Sequence, residues 1–470
     1  MVFSSPLFLF GFLPTFLALY AANPSRALNT TTLVASVFFY AWGEPIFVLF
    51  AVASAALDLV VVRLMVASHR AGARRLVLGV GVAANLGLLA YVKYANFAYA
   101  NVDPLVAAWL GVHLPHMRAI ALPIGISFIV FEKITYVVDV HRGVSRPALN
   151  VRDYLLYVFL FPKLLAGPII KYHDIAPQLI DRPRRLDDVA AGLTRFAIGL
   201  AKKVLLADPM GELADMVFAP GEAIGFRLAW LGAIAYALQI FFDFSGYSDM
   251  AIGLARMMGF RLMENFVRPY LAIGFGDFWR RWHISLSTWI RDYLYIPLGG
   301  DRVSTPRLYL NLWICFLASG LWHGAAWTFV LWGAYHGLFL TLDRLFLKRL
   351  LTGLPRVAGI GFTFLAVTTG WVLFRAPDAG AALTYLAAMI DPLGHSHRVV
   401  LVSRDLYLVM AIGLAMCFLP ALDGFERLHE QLRAAPQWQT ISMAFAAGLL
   451  AVSIAKATTV AFHPFLYFRF

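Results

Sequence analysis

The stretch LYLNLWICFLASGLWHGAAWTFVLWGAYHGLFLTL, Leu308 to Leu342, runs thirty-five residues without one Lys, Arg, Asp or Glu. A membrane-spanning helix takes about 20 apolar residues, so this run is too long for one span and leaves almost no loop for two. It predicts a tight helical hairpin turning near Gly320 to Ala326, with the imidazole of His323 held at or close to membrane depth. An ionisable group there is costly to keep, which makes it a functional candidate by default.

The rest of the chain agrees with that reading. Of its 470 residues 60% are hydrophobic and 14% charged, where soluble domains carry roughly 25% charged residues, so a water-soluble globule is excluded. The 12 Trp and 19 Tyr suit aromatic anchors at both membrane interfaces. A formal charge of +12 reads as basic cytoplasmic loops meeting anionic headgroups, and no nucleic-acid partner is expected. Cys315 and Cys417 both fall in apolar spans and read as packing residues, not as a disulfide or a nucleophile. Pro6 to Ala22 has no Lys or Arg before it, so it is expected to be a retained first helix and not a secretory leader.

Apolar windows of spanning length fall near 6–22, 30–48, 46–66, 76–97, 119–140, 189–207, 228–255, 308–323, 325–342, 357–374, 405–421 and 440–460. No linker, low-complexity tract or internal repeat divides them. The expectation is an all-α, polytopic membrane protein, one domain over 1–470, with about eleven or twelve spans. Leu155 to Ile170 is also apolar but is broken by Pro162, Gly167 and Pro168, and is expected to be re-entrant. Basic residues collect at Arg70, Arg74 and Arg75, at Arg142, Arg146 and Arg152, at Lys171, Arg182, Arg184 and Arg185, and at eight arginines in 256–307. By the positive-inside rule these loops are cytoplasmic, while 98–118 and 208–227 lie outside.

Three segments carry groups capable of chemistry. In Trp279 to Tyr295, WRRWHISLSTWIRDYLY, one helical arc holds Trp279, Trp282, His283, Leu286, Trp289, Ile290 and Tyr293. The other face holds Arg280, Arg281, Ser285, Ser287, Thr288, Arg291 and Asp292. This predicts an interfacial amphipathic helix with His283 pointing inward, either as a hydrogen-bonded core residue or as a second functional imidazole. The arginines either steer a phosphate-bearing donor or snorkel to headgroups. In the hairpin, the local pattern around His323 hardly differs from that around His336, thirteen residues on. In Phe241 to Gly253, FFDFSGYSDMAIG, the polar groups Asp243, Ser245, Tyr247, Ser248 and Asp249 interrupt an apolar span. Asp249 either orients a histidine or pairs with an arginine.

P-loop, dinucleotide-binding, HExxH, clustered Cys/His and GxSxG patterns are all missing, so neither a bound metal nor a serine nucleophile is expected. Inward histidines without a nucleophile suit direct acyl transfer, in which imidazole takes the proton of an attacking hydroxyl and a thioester supplies the electrophile.

The chain resembles the membrane-bound O-acyltransferase family. The resemblance is carried by MVFSSPLFLFGFLP at the start, Lys93-Tyr-Ala-Asn-Phe97, Leu122-Pro-Ile-Gly-Ile-Ser-Phe128 and FPKLLAGPI (161–169). It continues through FDFSGYSDMAIG (242–253), FWRRWHISLSTWIRDYLYIPLGG (278–300), GLWHG (320–324) and the terminal Phe468-Arg-Phe470; 376–438 shows little that matches. The resemblance implies a ring of helices around a thinned membrane centre, in a bacterial inner membrane. It implies His323 as the catalytic histidine and His283 as the second signature position. Trp279, Arg280, Arg281, Trp282, Arg291, Asp249, Tyr247 and Trp322 are the expected substrate-contacting residues. No resident cofactor is expected. Acetyl-CoA would be the cytoplasmic donor, and an exopolysaccharide such as alginate or cellulose, or a periplasmic SGNH-type partner, the acceptor. Alternatives are D-alanyl or other acyl transfer to an envelope polymer, a transporter of an acyl donor, and a scaffold without chemistry.

Overall fold

The computed structural model describes residues 1–183, 185–459 and 465–466; Arg184 and the terminal Phe468-Arg-Phe470 lie outside the described residues. Every regular element among the described residues is helical. In chain order these are α1 (Leu7–Ala22), α2 (Leu28–Gly43), α3 (Phe47–Ala67), α4 (Ala71–Leu110), α5 (Ile126–Arg142), α6 (Val151–Phe159), α7 (Phe161–Leu164) and α8 (Tyr172–Ile180). There follow α9 (Leu186–Ala201), α10 (Asp208–Phe218), α11 (Phe226–Met257), α12 (Phe275–Arg281), α13 (Ile284–Ile290), α14 (Thr305–His323) and α15 (Trp327–Leu342). The chain closes with α16 (Lys348–Gly353), α17 (Arg356–Arg375), α18 (Ala379–Ile390), α19 (Arg404–Phe418), α20 (Phe425–Ala434) and α21 (Trp438–Thr459). By length and composition α3, α4, α11, α17, Arg404–Ala421 and α21 suffice to cross a membrane. The other expected spans are shorter or more polar helices.

Two departures from the expected windows have local causes. Helix α4 is 40 residues long, well beyond 76–97, and stops where Gly111 turns left-handed at φ 68°. Helix α5 starts at Ile126, later than the window 119–140, because Pro123 and a left-handed Gly125 (φ 77°) hold the preceding backbone out of helix.

One compact unit comprises Met1–Val189 with Ala255–Leu262. Within it the interrupted segment forms α6 and α7, and the chain from Leu156 to Ile170 is buried throughout. Such backbone survives in a membrane only when protein surrounds it. Several buried charges of this unit are paired. Lys163 pairs with Glu132, and Lys133 lies 3.4 Å from Asp58, which accepts from Asn85 at 2.7 Å and Tyr154 at 2.8 Å. Removing one member of such a pair costs about 3–5 kcal/mol, so these contacts tie α3, α4, α5 and α6 into one register.

The second unit comprises Ala190–Leu254 with Met263–Phe470. Its core is aromatic: Tyr270, Phe275, Phe278, Trp282, Trp332, Trp371 and Phe374 are buried against one another. The segment 279–295 is not the single amphipathic helix that its pattern predicts. It breaks at Trp282-His283, where His283 takes a left-handed φ of 44°, and resumes as α13. Ser285, expected on the polar face, is fully buried as a result.

Candidate active site

The hairpin forms as its composition predicts, with α14 ending at His323, a turn at 324–326, and α15 beginning at Trp327. The two helices close on each other because a Cβ on Gly320 would overlap the Phe329 carbonyl oxygen, and one on Gly333 would meet that of Phe316. Small residues permit this backbone contact. His323 is 5% exposed and sits in an aromatic cage, with ring centroids of Trp322, Trp332 and Phe374 at 4.8, 5.0 and 5.2 Å.

The aromatic contacts continue to both other histidines. Trp322 bridges outward to His283 at 6.1 Å, and Trp332 to His336 at 4.6 Å. His336 is fully buried, and its Nδ1 accepts from the indole N–H of Trp279 at 3.3 Å. His283 is fully buried, and its Nδ1 is 3.2 Å from Oδ1 of Asn265. Burial lowers its pKa to about 3, so the ring is neutral at any working pH. Among the described residues, no three His, Cys, Asp or Glu side chains are gathered to hold a metal ion.

A cavity of about 760 Å³ approaches this cluster. Leu312, Cys315, Phe316 and Ser319 line it from α14, at the three- and four-residue spacing that defines one helix stripe. His323 is the next position on that stripe, about 6 Å beyond Ser319 along the axis. Trp279, whose ring packs on Phe316 at 5.3 Å, also lines it, and Arg280, Arg291, Arg344 and Lys348 add cationic groups together with Asp343. Of the residues expected to contact substrate, Trp279, Arg280 and Arg291 thus meet at one cavity, and Trp322 lies between the two histidines.

Others lie elsewhere. Arg281 is held by Asp277 at 3.1 Å, and Trp282 is packed between Phe278 and Trp371 at 5.5 and 4.9 Å. Tyr247 packs on Phe465 at 4.8 Å. Asp249 accepts from Arg195 at 2.9 Å and Lys202 at 2.6 Å, which is the ion-pair reading and not the histidine-orienting one. Asp249 also lines a second cavity of about 350 Å³ with Ser245, Ser248 and Asn265. Asp243 faces Lys203 at 2.8 Å. The pattern gave no warning of Asn265 or Ser319: Asn265 lies in a mixed, largely apolar loop with no periodicity, and Ser319 is one small residue in an apolar helix.

The sequence profile of the MBOAT, membrane-bound O-acyltransferase family, matches residues 27–352. A probable alginate O-acetylase AlgI of Azotobacter vinelandii is 41% identical over 100% of both chains. A peptidoglycan O-acetyltransferase of Helicobacter pylori is 35% identical, over 84% of this chain and 81% of its own. A teichoic acid D-alanyltransferase of Bacillus subtilis is 26% identical, over 56% of this chain and 72% of its own.

Proposed function

The chain belongs to the membrane-bound O-acyltransferase family and is a membrane acyltransferase, and on that footing we propose that it passes acetyl groups from a cytoplasmic thioester to a cell-surface polysaccharide. The donor is acetyl-CoA, and the acceptor is a hydroxyl of an alginate-like or cellulose-like polymer, reached directly or through a periplasmic SGNH-type protein. The membrane is the bacterial inner membrane. His323 is the general base toward the attacking hydroxyl, and His283 assists at the same centre.

One observation carries this reading: the cavity follows a single stripe of α14 and ends one turn from His323. Its cationic groups suit a donor bearing phosphates, since Arg forks match phosphate oxygens. Relatives named for O-acetylation, aligned over the whole chain, favour acetyl over D-alanyl.

Vesicles containing the protein, its acceptor and labelled acetyl-CoA test the proposal. His323→Ala should lower transfer by roughly 10²- to 10⁴-fold, the usual contribution of a general base, while insertion is unchanged. Transfer retained in that variant overturns the role of His323. Label transferred from a D-alanyl carrier and not from acetyl-CoA overturns the donor.

A further inference from the structure

Asn265 is buried beside His283 and makes more polar contacts there than packing requires. Its Oδ1 accepts from the Ser285 backbone N–H at 3.1 Å and from the Ser285 hydroxyl at 2.9 Å, and it faces His283 Nδ1 at 3.2 Å. Its Nδ2 donates to Ser248 at 3.2 Å, and its backbone carbonyl accepts from the Ile284 N–H at 3.0 Å. One loop residue therefore grips both peptide units that follow His283, where the backbone is left-handed at φ 44°. That conformation costs a non-glycine residue energy and persists only when its surroundings enforce it.

The contacts also decide the protonation of the ring. A backbone N–H can only donate, so the Asn265 atom facing Ser285 is the carbonyl oxygen and the amide cannot be turned over. The Ser285 hydroxyl is closer to that oxygen than to His283 Nδ1, 2.9 against 3.4 Å, and gives its hydrogen to the oxygen. Nδ1 then faces an acceptor and must itself carry a proton. In a neutral imidazole the other nitrogen, Nε2, keeps the lone pair.

We infer that Asn265 is a positioning residue that fixes His283 as the Nδ1–H tautomer, so that His283 works through Nε2 as a hydrogen-bond acceptor. It holds a hydroxyl or amide N–H of a substrate and does not donate to a developing oxyanion. The inference rests on the reading of His283 as part of the acyl-transfer centre and defines its part there.

Two measurements test it. In the full-length protein with nitrogen-labelled histidine, the His283 resonances are assigned by their loss in His283→Gln. A proton-bearing Nδ1 and a pyridine-like Nε2 are expected; a proton on Nε2 overturns the inference. This readout does not depend on which acyl group is transferred, so it stands if the acetyl donor is wrong. Kinetically, Asn265→Ala should lower kcat roughly 10- to 100-fold per folded molecule, as loss of an orienting partner does, with KM for acetyl-CoA little changed. Asn265→Asp keeps the accepting oxygens and should restore most of kcat. An Asn265→Ala variant with full kcat, or an Asn265→Asp variant no better than Asn265→Ala, overturns the positioning role.

Discussion

The indole N–H of Trp279 donates to Nδ1 of His336 across 3.3 Å, so a wall residue of the larger cavity is tied to a fully buried histidine behind it. That hydrogen bond ties α12 to α15 through His336. His336→Ala should therefore cost about 2–5 kcal/mol, as deletion of large buried side chains does. The thermal midpoint in detergent should fall while the protein that remains folded still transfers acetyl groups. Complete loss of transfer in well-folded His336→Ala would make His336 a partner in the chemistry.

The hairpin depends on two missing side chains. Gly333→Ala brings a Cβ against the Phe316 carbonyl oxygen and should destabilise by about 1–3 kcal/mol, the usual cost of overpacking. Gly361 is the control: apart from its chain neighbours and its own helix backbone, nothing lies within 4 Å of the place its methyl group would take, so it should tolerate Ala with an unchanged midpoint.

Cations at the larger cavity should act on donor affinity and not on turnover. Arg280 and Arg291 are exposed on its rim. Arg280→Ala and Arg291→Ala should each raise KM for acetyl-CoA roughly fivefold at low salt, the equivalent of about 1 kcal/mol. The difference should shrink as ionic strength rises. A KM that ignores both substitution and salt would place the donor's phosphates elsewhere.

Asp249→Asn should act on folding. It leaves Arg195 and Lys202 without their shared carboxylate, at a cost between about 1 kcal/mol for an exposed pair and about 3–5 for a buried one. The yield of folded protein should drop while kcat of the surviving fraction holds. A normal yield with lost kcat would restore a histidine-orienting role to Asp249.

Acid should weaken the fold partly through His283. In the folded protein this ring resists protonation down to about pH 3, whereas in the unfolded chain it takes up a proton near 6.5. Between those values the unfolded state binds more protons, so this contribution is whole above about pH 6.5 and declines as pH falls. Denaturation midpoints at neutral and acid pH should show a smaller acid loss in His283→Gln than in the parent. Equal losses would mean that the ring is not excluded from protons.

How far these features were legible depends on whether their cause is local. The hairpin was, because thirty-five uncharged residues with glycines at the middle admit few other solutions. The inward direction of His283 followed from its arc of tryptophans. The break at His283 did not, since periodicity assumes a continuous helix, and the contacts that enforce the break come from Asn265 eighteen positions earlier. Two histidines alike in local sequence differ only in packing, with Trp279 bonded to His336 and the rings of Trp322 and Trp332 against His323. Asp249 could be given two partners from composition, and only packing chose Arg195 and Lys202.

The paired charges of the first unit bear on how the protein is made. Helix α5 carries Glu132, Lys133 and Asp139, all buried, and each such group costs about 2.5–3.5 kcal/mol to hand to lipid at a helix centre. Asp58 has already been synthesised when α5 emerges, but Lys163 has not. Nascent α5 is therefore a poor passenger on its own, and its settling into the bilayer waits for the chain behind it.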